Sequence, residues 1–145
     1  MEQDERWMRE ALKEARAALA KDEVPVGAVI VAGDRIIARA HNLAETLTDA
    51  TAHAEMQAIT AAAACLGGKY LRECTLYVTL EPCLMCAGAL YWSQIARVVY
   101  GATDPRRGFS LCPLPVLHPA TSVTSGMLET TCAGLLSDFF KTKRK

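Results

Sequence analysis

The stretch Thr79-Leu80-Glu81-Pro82-Cys83-Leu84-Met85-Cys86 combines a proline with two cysteines three residues apart. Pro82 suits the first position of a helix, where its missing N–H costs nothing. Cys83 and Cys86 would then share the first helical turn, where the positive end of the helix dipole favours thiolate over thiol. The stretch therefore predicts a helix from Pro82 to about Trp92 that begins with two thiolates able to bind one metal ion.

A second stretch upstream, Thr51-Ala52-His53-Ala54-Glu55, supplies an imidazole and a carboxylate two residues apart. In the middle of a helix these two side chains would point to opposite sides, so they can serve one site only at a helix end. Thr51 is predicted as the N-cap, and the alanine-rich run through Ala64 as the helix body. Two helix N-termini aimed at one metal ion are therefore expected.

A catalytic zinc ion characteristically takes three protein ligands and leaves one coordination position open. His53, Cys83 and Cys86 are the predicted ligands of one Zn²⁺ per chain. Glu55 is then free to move protons beside the metal, as base and afterwards as acid. This H-x-E…P-C-x-x-C order is the known signature of zinc nucleobase deaminases.

Other readings of the cysteine pair are a redox pair, half of a structural zinc site, or a metallopeptidase. A structural site would want a second Cys/His pair, but the other four cysteines stand singly in the sequence. A thioredoxin-like motif would give no role to His53 or Glu55. An H-E-x-x-H peptidase would need a second histidine, which is missing.

The 145 residues are expected to form one domain, residues 1–145. Sixteen basic and sixteen acidic residues balance to zero net charge, which argues against a non-specific nucleic-acid binder but not against a local basic patch. Six cysteines without a framework spacing are typical of a reducing compartment. The acidic start and the lack of a membrane-length apolar run predict a cytoplasmic protein without a membrane partner.

Apolar periodicity and turn residues predict the remaining elements. They are a helix from about Asp4 to Ala20, strands from Val24 to Val31, Arg35 to Ala40, Thr75 to Thr79 and Arg97 to Gly101, a loop-like segment from Asp104 to Pro119, and a final helix from Met127 to Phe140. This alternation predicts an α/β sandwich whose sheet is parallel in one half and has one antiparallel edge.

From Val24 to Gly101, and again in Leu135 to Phe140, the chain resembles bacterial tRNA-specific adenosine deaminases of the cytidine deaminase-like superfamily. The blocks that carry the resemblance are Val24-Pro25-Val26-Gly27-Ala28-Val29, His41-Asn42, Thr51 to Glu55 and Thr75 to Cys86. The resemblance implies a three-layer α/β/α sandwich with a mixed central sheet of about five strands. It also implies hydrolytic conversion of the wobble adenosine in a tRNA anticodon loop to inosine, with release of ammonia.

The resemblance further assigns substrate contacts. Asn42 would hydrogen-bond the base, the backbone of Ala54 would help to hold it, and Asp104 would touch the nucleotide sugar. Phe140 would pack against an anticodon base. The chain departs from many relatives at Ala44, where they have arginine, and at residues 120–123, where they have an Asn-His-Arg run.

Each contact also has a purely structural reading. Asn42 is a common turn residue, Asp104 precedes a proline as turn residues do, and Phe140 on an amphipathic helix could belong to the core. Arg106, Arg107 and the tail 141–145 form two basic clusters expected to meet flanking phosphates, although such a tail is often only solvated.

Two alternatives to a tRNA enzyme remain open at this point. One is a deaminase of a free base or nucleoside such as guanine, cytosine or cytidine, and the other is a non-catalytic zinc-binding subunit, against which Glu55 argues. The conformation of the segment 106–119 distinguishes a deaminase of small substrates from a tRNA deaminase. A small substrate needs a lid over the pocket, whereas an RNA needs an open entrance. Residues 88–92 continue the cysteine helix with apolar side chains, which pack either on the chain's own sheet or on a second copy in a homodimer.

Overall fold

The computed structural model describes residues 2–143. Its elements in chain order are α1 (Glu2–Ala20), β1 (Gly27–Ala32), β2 (Arg35–His41), α2 (Ala54–Leu66), β3 (Cys74–Leu80), α3 (Leu84–Ser93), β4 (Arg97–Ala102), a short 3-10 turn (Phe109–Leu111), β5 (Ser122–Thr124) and α4 (Glu129–Lys143). No helix in this range is long and apolar enough to cross a membrane.

The strands form one mixed sheet in the order β2-β1-β3-β4-β5. β1 pairs antiparallel with both β2 and β3, whereas β3 with β4 and β4 with β5 are parallel. The mixed five-stranded sheet is therefore confirmed. The expected antiparallel edge is also confirmed, because the edge strand β2 pairs antiparallel with β1. β1 lies inside the sheet and runs opposite to both of its neighbours.

Helices cover both faces of the sheet, as the three-layer sandwich requires. Ala28 and Ile30 of β1 pack in one core with α2 and α3. Val29 and Val31, which point to the opposite face, pack in a second core with α1 and α4. A strand covered on both faces is apolar at every position, and this is why β1 is a continuous apolar run.

Backbone contact between α1 and β1 fixes how closely the outer layer approaches the sheet. A Cβ atom built on Gly27 would lie 2.1 Å from the backbone oxygen of Ala11. Only glycine fits at that position, because any side chain would push the helix off the strand.

The first turn of α1 is tied to the sheet by a buried carboxylate. Asp4 accepts hydrogen bonds at 2.7 Å from both terminal nitrogens of Arg97 and at 2.7 Å from the Tyr77 hydroxyl. The hydrogen bonds from Arg97 hold the pKa of Asp4 below its usual value, so this carboxyl group stays ionised.

Two strand or helix starts and one whole strand are among the differences from the expectations. β1 begins at Gly27 rather than Val24, because a tight turn between Val26 N and Val24 O (2.8 Å) and the missing N–H of Pro25 keep these residues out of the ladder. α4 begins at Glu129 rather than Met127, because Leu128 has a positive φ of 54°. β5 was not expected, since three residues inside a polar loop carry no strand periodicity.

Candidate active site

The centre of the site is the meeting point of two helix N-termini. His53 is the N-cap of α2 (φ −74°, ψ 154°), and Cys83 is the N-cap of α3 (φ −75°, ψ 175°). Neither side chain makes a capping hydrogen bond to its own helix. Both side chains are therefore free to point past the helix ends, and the prediction of two N-termini at one centre is confirmed.

The predicted helix starts are shifted by two residues. Thr51 is not the N-cap, because its N–H and hydroxyl both donate to Asp49 Oδ1, at 2.9 and 2.8 Å, in the turn before the helix. Pro82 is not the first residue of α3, because Cys83 keeps an extended backbone and the helix begins at Leu84. Glu55 consequently lies in the first turn of α2 and Cys86 in the first turn of α3.

The three predicted ligands converge on one point. His53 Nδ1 lies 3.7 Å from Cys83 Sγ and 3.5 Å from Cys86 Sγ. A tetrahedral zinc ion with Zn–S near 2.3 Å and Zn–N near 2.0 Å would separate such ligand atoms by about 3.6 Å. The donor set of one nitrogen and two sulfurs, with all ligand atoms within 4.8 Å of one another, therefore fits one zinc ion.

The two thiols are electrostatically different. Hydrogen bonds from Cys86 and then from His53 lower the pKa of Cys83 to about 4, so that Cys83 is a thiolate at neutral pH. The pKa of Cys86 is raised, first because its thiol is hydrogen-bonded to Cys83 and then because it is buried. The pKa of His53 is raised mainly by its hydrogen bond to Cys83. A bound metal ion deprotonates a coordinating thiol outright, so both sulfurs can serve as anionic ligands.

Glu55 lies at the same centre without belonging to the metal-binding cluster. Its side chain is only 4% exposed, and this burial raises the pKa of the carboxyl group to about 7. A group with a pKa near neutrality can both accept and return a proton under working conditions. The arrangement therefore offers a metal position and a proton shuttle side by side.

Asn42 follows β2 and is attached to the start of α2. Leu43 N donates to Ala52 O at 3.0 Å, next to the predicted metal ligand His53. The side chain of Asn42 is 8% exposed, and its amide makes no hydrogen bond within residues 2–143. A contact of Asn42 with a base stays a prediction.

Gln57 was missed in the sequence. Its side-chain amide donates to His41 O at 2.8 Å and to Ala52 O at 3.2 Å, so it joins the end of β2 to the beginning of α2. The signal that could have identified it is its position one helical turn after His53. Because Gln57 holds the carbonyl next to Asn42, it fixes where that residue stands relative to the metal ligands.

Asp104 has the turn role that its neighbouring proline indicated. Its Oδ1 accepts hydrogen bonds from the backbone N–H groups of Arg106 and Arg107, both at 3.0 Å. The side chains of both arginines are exposed. A contact of Asp104 with a sugar stays a prediction.

The two phenylalanines near the end of α4 differ in burial. Phe139 is in the core at 8% exposure, whereas Phe140 is 44% exposed and touches Phe139 edge-on, with ring centroids 5.3 Å apart. The core reading therefore applies to Phe139 and not to Phe140. No hydrogen bond or ring contact in the described part of the chain brings Phe140 to the metal ligands, so its base contact stays a prediction.

Comparison with known proteins gives consistent results. Residues 1–102 match the family described as the cytidine and deoxycytidylate deaminase zinc-binding region. A Bacillus subtilis (strain 168) protein named tRNA-specific adenosine deaminase is 52% identical over 100% of this chain and 93% of its own length. A solved structure from a study of A-to-I editing by tRNA:A34 deaminases at the wobble position is similar with a TM-score of 0.85 and 45% identity, covering 90% of this chain and 99% of that one. A guanine deaminase structure from Nitrosomonas europaea has a TM-score of 0.79 and 26% identity, covering 93% of this chain and 83% of that one.

The metal site makes a direct prediction. Cys86→Ala should lose most of its zinc, because two ligands hold the ion much less firmly than three. Zinc per chain is measured by elemental analysis after gel filtration. Cys132→Ala, which alters an equally buried cysteine on α4, should keep one zinc per chain. Full zinc retention in Cys86→Ala would show that this residue is not a ligand.

Proposed function

Since the chain belongs to the cytidine and deoxycytidylate deaminase zinc-binding family, we propose that it deaminates the wobble adenosine of a tRNA anticodon loop to inosine. The observation that carries this substrate is the full-length similarity to a tRNA-specific adenosine deaminase. The reaction is a hydrolysis at an amidine carbon, with water entering and ammonia leaving. The six cysteines, all free of disulfides, support a reducing compartment and hence the cytoplasm.

We assign His53, Cys83 and Cys86 as the zinc ligands and Glu55 as the catalytic residue. The zinc ion that these three residues would hold would supply Lewis-acid chemistry, which makes water more acidic. The Glu55 carboxylate accepts a proton from the attacking water molecule. Glu55 then returns protons to the ring nitrogen and to the departing amino group, so one buried carboxyl group suffices for both directions.

Asn42 and Ala54 are proposed to hold the base. The amide of Asn42 can donate and accept hydrogen bonds, which suits the edge of a purine. Ala54 is the first residue of α2, and its backbone N–H is one that the helix itself leaves without an acceptor. Ala54 follows His53 directly. The hydrogen bond of 3.0 Å from Leu43 N to Ala52 O holds the residue after Asn42 beside the same helix start, so a base held by both groups would lie at the metal.

The segment after β4 supports an open mouth rather than a lid. Phe109 N donates to Pro82 O at 2.9 Å, so the segment starts beside the metal-binding turn. It then runs along α3, where the rings of His118 and Tyr91 lie 5.7 Å apart. It ends at the opposite end of the sheet, where the Thr121 hydroxyl donates to Ile95 O at 2.6 Å. Because this segment leads away from the metal, it leaves room for a base extruded from an RNA loop.

Basic residues are available for the flanking phosphates. Arg106 and Arg107 are exposed, and no carboxylate within residues 2–143 pairs with their side chains. Lys143 instead pairs with Asp22 at 2.6 Å, an exposed contact that a phosphate can replace at little cost. The last two residues of the predicted basic tail, 144 and 145, lie outside the described residues.

A homodimer is proposed from the exposed apolar side of α3. Trp92 is 77% exposed and Leu84 is 54% exposed, while Leu90 packs in the chain's own core. The reading in which residues 88–92 pack on their own sheet therefore holds for Leu90 but not for Trp92. Contiguous apolar surface of this kind is typical of an interface, and a second copy would cover it.

Glu55→Gln should keep zinc and fold while turnover of an anticodon stem-loop falls about 10²- to 10⁴-fold, because an amide cannot carry the proton. Inosine formation under single-turnover conditions and zinc per chain are the measurements. A variant that loses its metal would identify Glu55 as a ligand and would contradict the assigned role.

The RNA substrate predicts a strong salt dependence, because phosphate contacts release counterions. Stem-loop affinity should fall steeply between low and moderate salt, and Arg106→Ala should reduce the slope of log K against log salt by about one. Arg35→Ala is the matched control, since this exposed arginine pairs with Ala32 at the end of the sheet remote from the site. A flat salt response without inosine, together with ready deamination of free guanine or cytosine, would favour the small-molecule alternative.

The homodimer predicts a single species of twice the chain mass in sedimentation at micromolar concentration. Trp92→Glu should shift it to monomer, because a charge cannot be buried unpaired in an apolar interface. Leu19→Glu, at an exposed apolar position at the end of α1, should stay dimeric. A wild-type chain that sediments only as monomer would contradict the proposal.

A further inference from the structure

Glu81 is a buried carboxylate that the reaction itself does not use. Its side chain is 1% exposed, two residues before the metal ligand Cys83. Each carboxylate oxygen accepts one backbone N–H: Oε1 from Asp104 at 3.0 Å and Oε2 from Ser110 at 2.9 Å. Both donors belong to one segment, residues 103–110, which we call the basic loop because it carries Arg106 and Arg107.

Backbone contacts seat the same loop on the metal-binding turn. Gly108 forms an isolated antiparallel bridge with Cys83. A Cβ atom built on Gly108 would lie 2.3 Å from the carboxyl carbon of Glu81. The loop therefore approaches so closely that only glycine leaves room for the buried carboxylate.

The hydrogen bonds continue from Glu81 to the two arginines. The Glu81 carboxylate accepts a hydrogen bond from the backbone N–H of Asp104. The Asp104 carboxylate in turn accepts hydrogen bonds from the backbone N–H groups of Arg106 and Arg107. The backbone positions of both arginines thus depend on a carboxylate that lies beside a metal ligand. No other side chain within residues 2–143 accepts hydrogen bonds from both ends of the basic loop.

We propose that Glu81 is a positioning residue that sets where the basic loop stands relative to the metal centre, and thereby sets how the flanking phosphates of the RNA are bound. The inference rests on the proposed function, because it takes Arg106 and Arg107 as RNA contacts. The partner is the sugar-phosphate backbone next to the extruded base.

The chemistry requires a carboxylate at this position. Two inward-pointing N–H groups need two acceptor oxygens, and an amide offers one oxygen and one nitrogen donor. In Glu81→Gln one buried N–H would face another, which costs more than the loss of a neutral hydrogen bond. The substitution should therefore free one end of the basic loop while leaving the shape of the side chain unchanged.

Glu81→Gln tests the proposal. Native-state hydrogen exchange at the amides of Asp104 and Ser110 should be faster in the variant than in the wild type. Exchange at the amides of the central strands should not change. The KM for an anticodon stem-loop should rise roughly 10-fold with kcat changed less than about twofold, as expected when ground-state phosphate contacts weaken. Zinc should remain at one per chain.

Two further variants complete the test. In Gly108→Ala the added methyl group on the loop should displace the Glu81 carboxylate and raise the KM in the same way. The KM of the double variant should be no higher than that of either single variant. Asp4→Asn removes a buried carboxylate partner at α1, so it should lower the melting temperature without changing the KM or the exchange of the two loop amides.

The possible outcomes are separable. Unchanged exchange at Asp104 and Ser110, or a fall in kcat at unchanged KM with zinc retained, would overturn the role assigned to Glu81. A wild-type chain that makes no inosine in the stem-loop would overturn the proposed function and the phosphate role together. In that case the exchange data still decide whether Glu81 holds the loop.

Discussion

The site depends on one constraint: the residues at the N-cap positions of α2 and α3 do not cap their helices. His53 and Cys83 occupy these positions, and neither side chain makes a capping hydrogen bond. The first N–H groups of both helices are then left pointing at a common centre, and their partial positive charge favours anions there. The Cys83 thiolate supplies one such anion. β3 leads into α3, and the Leu43–Ala52 hydrogen bond holds the start of α2 beside the end of β2.

Much of this arrangement could be predicted from the sequence, because metal-ligand spacing and apolar periodicity are local signals. The convergence of His53, Cys83 and Cys86, and the strand that delivers the cysteines, were both expected. The helix starts were not placed correctly, since capping preferences assume that the best hydrogen-bonding residue caps the helix. Here the proposed metal ligands His53 and Cys83 take these positions, and Thr51 bonds to Asp49 instead.

Other features depend on contacts between distant residues and have no local signal. Glu81, before a proline, has the sequence appearance of a solvated loop residue, yet its carboxylate accepts N–H groups 23 and 29 residues away. Periodicity places both Phe139 and Phe140 on an amphipathic helix and cannot decide which ring is buried. Likewise β5 exists because Arg97, Val98 and Val99 of β4 offer an open edge, not because Ser122–Thr124 favour a strand.

The ion pair between Asp4 and Arg97 has a consequence for how the chain folds during its synthesis on the ribosome. The two residues are 93 positions apart. At roughly 5–20 residues per second, the first turn of α1 waits about 5–20 s for its guanidinium partner to be synthesised. During that interval the nascent α1 can dock on the early β1–β2 hairpin, while its first turn stays frayed. The tie between the first turn of α1 and the sheet therefore forms only after β4 has emerged, and β5 and α4 complete the fold later still.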